Sequence, residues 1–283
     1  MTPARPRRSC LYMPASNARA IDKARSLPCD VVILDLEDAV APDAKVEARA
    51  NAILAVKAGG FGDRQVVVRI NGLDTPWGAE DLAAMSELAP EAILVPKISS
   101  AADIAAYAQA LASETELWAM VETCQGLFNL DAIAGFGGPL AALVVGANDL
   151  AKEMRCRPGV SRTPLLSALS LAVMAGRAHG LSVIDAVFND IADLEGLELQ
   201  CLQGLEFGFD GKSLIHPSQI DAANRIFAPD PAEVAWARQI VAAFELPENA
   251  DKGVFKLEGR MVERLHLDEA HRLISQAEAI AAR

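Results

Sequence analysis

Leu117-Trp118-Ala119-Met120-Val121-Glu122-Thr123 and, one unit further along the chain, Ala142-Leu143-Val144-Val145-Gly146-Ala147-Asn148-Asp149 decide the reading of this sequence. Each is a short apolar run that ends in a carboxylate. That pattern predicts a buried strand with an acid at its C-terminal tip. Were the two strands neighbours in one sheet, their tips would lie ~4.8 Å apart. One oxygen from each acid could then share Mg²⁺ at ~2.1 Å. Glu122 and Asp149 are therefore expected to hold a metal, and the chain is expected to be a metal-dependent enzyme rather than a binding scaffold.

Working outward, similar runs fall at residues 10–14, 31–35, 66–70, 92–97, 182–186 and 204–207, which with 117–121 and 142–146 make eight candidate strands. Helical patterns follow them, several with start signals. Ser16 can cap 17–26, Thr75-Pro76 opens 77–88, and Ser99 or Ser100 precedes 101–112. Thr163-Pro164 opens 165–179 with Gly180 as the stop, and His216-Pro217 opens 218–227. Eight strand–helix units read as an α/β protein of the (β/α)₈ TIM-barrel class. The rival is an open doubly wound sheet, but no GxGxxG follows the first strand and no GxxxxGK[ST] occurs. The rhythm breaks at Ala228-Pro229-Asp230-Pro231, followed by a helix at 232–244, a polar stretch at 247–264 and a last helix at 267–282. The expected division is a barrel over residues 1–228 carrying the metal and substrate site, and a small helical C-terminal extension over 229–283. The extension is too short for a core of its own. It is expected to pack on the barrel as a lid or to reach over a neighbouring subunit.

Composition narrows the class. The chain has 283 residues, 52% of them hydrophobic, so a substantial core is expected. No apolar stretch approaches the ~20 residues of a membrane span, and the basic start Arg5-Pro6-Arg7-Arg8 is not followed by a signal-peptide core. A soluble, cytoplasmic protein is the default. The net charge of −12 argues against nucleic-acid binding, but a few local cations and backbone N–H groups would suffice for a small anion. Five scattered cysteines without CxxC suggest reduced, mostly buried thiols. Cys124, beside Glu122, reads as a buried thiol before a nucleophile, since no histidine is close in sequence. Four histidines without HxxxH or HxH spacing argue against zinc.

In barrels of this kind chemistry sits where strands end. The tips are Asp35-Leu36-Glu37-Asp38, Arg69-Ile70-Asn71, Pro96-Lys97, Glu122-Thr123 and Asn148-Asp149. Tips are often polar simply because they meet solvent, yet five consecutive charged tips with one Arg among carboxylates point to a site. Arg69 leaves the buried run Val66-Val67-Val68 and so needs a partner. That partner is Asp35 or Asp38 in a structural ion pair, or a substrate carboxylate or enolate oxygen, either of which the guanidinium fork suits. Gly146-Ala147-Asn148-Asp149 is an ordinary turn or an anion-holding one, its small residues letting backbone N–H groups approach a ligand. His216 reads as a helix-entry residue bonded to backbone, or as a contact to a phosphate-bearing ligand.

Together these segments resemble the citrate lyase β-subunit-like family of the HpcH/HpaI aldolase superfamily, which includes malyl-CoA and citramalyl-CoA lyases. The matching stretches are Arg8-Ser9-Cys10-Leu11-Tyr12-Met13-Pro14, residues 34–42 with Lys45, Val68-Arg69-Ile70-Asn71, Pro96-Lys97, Val121-Glu122-Thr123, residues 146–150 and Ile215-His216-Pro217-Ser218-Gln219. The resemblance implies Mg²⁺ on Glu122 and Asp149, and Arg69 facing the substrate. It implies a 2-oxo acid chelating the metal, with its carboxylate on backbone N–H groups of Ala147, Asn148 and Asp149. Glu37 and Asp38 would hold water around the metal. Arg8, Lys45 and His216 are candidate coenzyme A contacts by position only. A homo-oligomer, commonly a trimer, is implied, with one subunit's C-terminal segment covering another's active site.

The implied activity is a Mg²⁺-dependent carbon–carbon lyase that cleaves a short 3-hydroxyacyl-CoA, of the citramalyl-CoA or malyl-CoA type, to acetyl-CoA and a 2-oxo acid. Arg69 would stabilise the thioester enolate, which must then be protonated. Lyases of this type use the Asp of a C-terminal Gly-x-Met-Ile-Asp motif for that proton. This chain has Gly259-Arg260-Met261-Val262-Glu263, so Glu263 takes the place of the acid with one more methylene. A misplacement of ~1 Å can cost roughly 10²-fold in rate. The departure opens three possibilities: a different substrate, thioester hydrolysis instead of cleavage, or another acid/base with Glu263 merely solvated. Competing readings are a (3S)-malyl-CoA thioesterase, a citrate lyase β subunit working with an acyl carrier protein, and a non-catalytic barrel that binds CoA or an oxo acid.

Overall fold

Val31–Asp35, five residues of which four are β-branched or leucine, is buried along its whole length. Only a strand covered on both faces accommodates such a run. The computed structural model describes residues 5–249 and 252–283, and among them eight parallel strands close into a barrel in sequence order. The strands are β1 (Ser9–Pro14), β2 (Val31–Asp35), β3 (Gln65–Arg69), β4 (Ala92–Val95), β5 (Glu116–Val121), β6 (Leu140–Val145), β7 (Ser182–Asp185) and β8 (Gly211–Leu214). β8 pairs with β1 to complete the ring. The (β/α)₈ expectation holds.

Alternate residues fill the barrel. Cys10 and Tyr12, Val31 and Ile33, Val67, Leu94, Trp118 and Met120, Val144 and Ile184 form one buried cluster, as the two-residue period requires. At the N-terminal end Arg7 closes this interior. It donates to Gln65, Ser182 and Glu116 and lies 4.7 Å from the Trp118 ring centroid.

The connecting helices are α1 (Ala18–Ala24), α2 (Lys45–Ala58), α3 (Gly78–Leu88), α4 (Ala101–Ala108), α5 (Cys124–Phe128), α6 (Leu130–Ala134), α7 (Ala147–Glu153), α8 (Leu166–Ala178) and α9 (Leu194–Phe207), with α10 (Ile220–Ile226) after β8. Asn17 rather than the expected Ser16 caps α1, while Ser100, one of the two residues expected there, forms a full capping box with Asp103 on α4.

The eighth strand does not lie at 204–207. Those residues are the last turn of α9, which Asp193 caps at its start and Gly208, at φ +93°, terminates. The strand that closes the barrel is Gly211-Lys212-Ser213-Leu214. It hides from a hydrophobicity pattern because Lys212 is fully buried. Its ammonium lies 2.8 Å from Asp185, which also takes Arg162 at 2.6 Å. Burial of such a lysine is tolerable only with a paired, hydrogen-bonded partner, and the partner comes from β7. These three charges lie behind the strands, since Ile184 rather than Asp185 faces the barrel interior.

Residues Arg7–Arg225 form one compact unit, and Ile226–Arg283 belongs to a second. In the second unit α11 (Pro231–Glu245) and α12 (Arg264–Ala281) flank a hairpin of β9 (Val254–Leu257) and β10 (Arg260–Glu263). Contrary to the expectation from its length, this unit has a small core of its own, made by Ala237, Ile240, Phe244, Val262 and Ala270. The polar stretch between the two helices hid this hairpin, although Glu258 and Gly259, both at positive φ, form the tight two-residue turn that marks one. No helix among the described residues is long and apolar enough to cross a membrane.

Candidate active site

The strand period that fills the barrel also aims its last residues at one mouth. Inward-facing Ile33 is followed two residues later by Asp35, Val67 by Arg69, Met120 by Glu122 and Val144 by Gly146. Register brings them side by side: Asp35 opposes Arg69, and Val121 opposes Val145, so Glu122 and Gly146 leave β5 and β6 together. A cavity of about 270 Å³ opens here, lined by Tyr12, Asp35, Asp38, Arg69, Glu122, Gly146, Ala147, Asn148, Asp149, Asn189 and Ser213, with Met120, Val145 and Val187 supplying apolar wall.

Arg69 has both of the partners that its sequence position left open. Its Nε and Nη2 donate to the two Asp35 oxygens at 2.7 and 2.6 Å, a bidentate pair, while Nη1 lies 2.8 Å from Glu37 and 3.3 Å from Asp38. The guanidinium carbon stands 4.7 Å from the centre of the Tyr12 ring, a cation–π contact. Arg69 is thus a fixed cation, clamped from one side and still lining the cavity. Its charge is locked in: burial lowers its pKa, but Asp35, Tyr12 and Glu37 together hold it well above the ordinary value.

Glu122 is only 2% exposed. Its Oε1 accepts the Lys97 backbone N–H at 2.7 Å. Burial, together with the charge of Asp149, pushes its carboxyl up to about 7, against the lowering effects of that hydrogen bond and of Arg69. Glu37 is pushed further, to about 8, chiefly by burial. Its Oε2 has no well-directed hydrogen bond although it lies close to Arg69. The mouth therefore holds more carboxylates than cations. A Cβ on Gly146 would overlap Glu122 Oε2 and come within 2.6 Å of Glu122 Cβ, so the glycine is what lets that carboxylate occupy its place.

These residues fit a divalent cation. Two hard oxygen donors, Glu122 and Asp149, face one cavity, and the burial and neighbouring charge that raise the Glu122 pKa are what a bound cation would offset. Among the described residues no three His, Cys, Asp or Glu side chains converge into a complete protein cage. That suits Mg²⁺, which usually takes one or two carboxylates and leaves its other positions to water and substrate.

Not every expected contact is brought here. Arg8 precedes β1 and lies at the opposite end of the barrel, bound to both oxygens of Asp30. Lys45 is buried, and its ammonium donates to Leu36 O, Glu37 O and Asn71 Oδ1. All three of its protons are used in supporting the β2 tip, leaving none for a ligand. His216 is exposed at the end of β8, where its Nδ1 accepts the Ser218 N–H. Cys124 is half-buried rather than buried, and desolvation with neighbouring Glu153 raises its thiol pKa, which disfavours a nucleophile. Glu263 belongs to the C-terminal unit, where its carboxylate caps α12 in a capping box with His266.

Two lining residues escaped the sequence reading as site candidates, and a third residue, Lys97, reaches the site by an unexpected route. Tyr12 carried no signal beyond its place in a strand. Asn189, beyond β7, exchanges two hydrogen bonds with Asn148 at 3.2 and 2.8 Å, and nothing in its neighbourhood marked it. Lys97 was visible as a charged tip, but its contact with Glu122 runs through its backbone.

Comparison with known proteins identifies relatives of one family and fold. Residues 8–217 match the family model described as HpcH/HpaI aldolase/citrate lyase. The chain is 47% identical to a (3S)-malyl-CoA thioesterase of Cereibacter sphaeroides over 99% of its length and 97% of the relative's. It is 34% identical, over the same shares, to an L-malyl-CoA/beta-methylmalyl-CoA lyase from that species. Among solved structures, the CitE protein of Mycobacterium tuberculosis in complex with magnesium, acetoacetate and coenzyme A superposes with a TM-score of 0.77 at 31% identity, covering 97% of this chain and 98% of that one.

Proposed function

The chain belongs to the HpcH/HpaI aldolase/citrate lyase family, and from that premise we propose that it is a Mg²⁺-dependent thioesterase that hydrolyses (3S)-malyl-CoA to malate and coenzyme A. The 47% identical relative supports the substrate. The observation that carries hydrolysis over carbon–carbon cleavage is Glu263. Cleavage needs an acid placed to protonate the enolate carbon, and Glu263 carries its carboxyl one methylene beyond the Asp that lyases of this type use, in a capping box on its own helix. Hydrolysis requires no proton on carbon.

Glu122 and Asp149 are the residues that would hold Mg²⁺, as the magnesium-bound solved relative suggests. When bound, the ion would supply Lewis-acid polarisation and a chelation point for the α-hydroxy acid end of the substrate. The chain's own groups do the rest. Backbone N–H groups of Ala147, Asn148 and Asp149, first in α7 and so without intrahelical acceptors, receive the malyl carboxylate. Arg69, already oriented by Asp35, stabilises the oxyanion that forms on the thioester carbonyl, a contribution of about 10²–10³ in rate for a well-placed donor. Asp38 lines the same cavity, is exposed, and is held by Arg69 only at 3.3 Å. It takes a proton from the attacking water as the new carbon–oxygen bond forms. The carbon–sulfur bond then breaks, and the thiolate of coenzyme A leaves with that proton.

A second reading, a malyl-CoA-type lyase, draws on the 34% identical relative and on Arg69, which can equally hold an enolate oxygen. Product analysis separates the two. Purified protein with Mg²⁺ and (3S)-malyl-CoA should release free thiol and malate in equal amounts. Acetyl-CoA with glyoxylate would establish the lyase instead, and no turnover of any malyl thioester would refute both.

A further inference from the structure

Lys97 stands where a glycine would be less strained. It follows β4 with φ +53°, a left-handed conformation that costs any residue with a Cβ and recurs at functional sites. The strain has an evident use: it turns the Lys97 N–H onto Glu122 Oε1 at 2.7 Å. The backbone explains the conformation but not the side chain, because a glycine would donate the same bond. The side chain is half exposed, with its ammonium 3.8 Å from Glu37 Oε1. The other charges acting on it are those of Asp149, Asp38 and Glu122. Arg69, by contrast, is clamped by Asp35 and buried. Lys97 is therefore the adjustable cation of an acidic mouth.

We infer that Lys97 is a positioning residue that balances this mouth between its two ligands, holding back the affinity for Mg²⁺ in order to admit an anionic acyl group. The inference rests on the reading that Glu122 and Asp149 hold the ion. The charge count makes the case. Asp38, Glu122 and Asp149 line the cavity beyond the Asp35–Arg69 pair, and Glu37 lies beside them against Arg69 and Lys97. Mg²⁺ cancels two of those charges. Lys97 cancels a third, so without the ammonium an incoming carboxylate would meet two uncancelled negative charges rather than one. A fixed cation near both ligands repels one and attracts the other, so removing it must move the two affinities in opposite directions. A merely structural lysine would weaken both or neither. At an effective dielectric constant suited to protein surfaces, and discounted for solvent at a half-exposed ammonium, each change should be on the order of tenfold.

The experiment is isothermal calorimetry on the full chain, titrating Mg²⁺ alone and then pyruvate at saturating Mg²⁺, for wild type, Lys97→Met, Lys97→Arg, Lys97→Gly and Glu122→Gln. Lys97→Met should bind Mg²⁺ about tenfold more tightly and pyruvate about tenfold more weakly, and Lys97→Arg should restore both. Lys97→Gly should behave as Lys97→Met does, with a higher melting temperature because the left-handed strain is relieved. Unchanged or weaker Mg²⁺ binding by Lys97→Met, with Glu122→Gln binding none, would overturn the inference and leave the metal reading standing. Undiminished Mg²⁺ binding by Glu122→Gln would instead overturn the metal reading itself.

Discussion

Gly146→Ala is the most direct test of how the site is assembled. The added Cβ overlaps Glu122 Oε2 and lies 2.6 Å from Glu122 Cβ and 2.9 Å from Met120 Cε, where ordinary contact begins at 3.4 Å. Gly146 sits at φ −100°, so alanine meets no backbone penalty and the whole effect is steric. Rotating the carboxylate relieves one overlap only. The contact with Glu122 Cβ requires β5 and β6 to separate at their tips, or Glu122 to move by about 1 Å. A shift of that size in a metal-holding, substrate-positioning group should lower kcat/KM by roughly 10²-fold. Overpacking should cost about 1–3 kcal/mol of stability. Mg²⁺ affinity by calorimetry and malyl-CoA turnover should fall together in a protein that still melts cooperatively. Retention of wild-type Mg²⁺ affinity and turnover would refute the argument that the missing Cβ shapes the site.

Other outcomes follow from the charges and caps. Glu122 and Glu37 have folded pKa values near 7 and 8, above the ordinary 4.5. The metal-free fold therefore keeps their contribution at low pH and loses it as pH rises through those values. Mg²⁺ binds the ionised form, so the melting-temperature gain from Mg²⁺ should be larger at pH 8 than at pH 6, and an equal gain at both would contradict the assigned ligands. Glu263→Ala should lower stability by about 1 kcal/mol through loss of the α12 cap while changing malyl-CoA hydrolysis less than about tenfold. A loss near the 10²–10⁴-fold of a general acid would make Glu263 the proton donor. Asp185→Asn should cost about 3–5 kcal/mol by stranding buried Lys212 and Arg162, read as a lower midpoint in urea, with KM for malyl-CoA little changed in the folded fraction.

Much of the site was legible because strand tips carry their own signature. An apolar run that ends in Glu122, or in Asp149 after a small-residue turn, announces both the strand and the residue at its mouth. What the local pattern lacks is the partner. Arg69 could be known to need a carboxylate, but that it takes Asp35 bidentately depends on the β2–β3 register. Lys45 resembled a ligand contact by position, and only its enclosure beneath β2 shows its three donors already in use. Arg8 lies on the wrong end of the barrel because it begins a strand, a distinction the strand assignment already contained.

The sequence by itself determined the barrel and the acidic mouth, since both follow from the period of two and from which end of a parallel strand each charge occupies. Tertiary structure alone decided where the barrel closes and how the mouth is tuned. β8 is a strand because Asp185 makes Lys212 burial tolerable, and no window of four residues contains that pairing. Glu122 has its elevated pKa because burial and Asp149 meet there, Gly146 matters through an atom it lacks, and Lys97 reaches the site through a turned backbone. Each of these is an interaction between residues far apart in the chain, fixed by register and enclosure, quantities that periodicity does not encode.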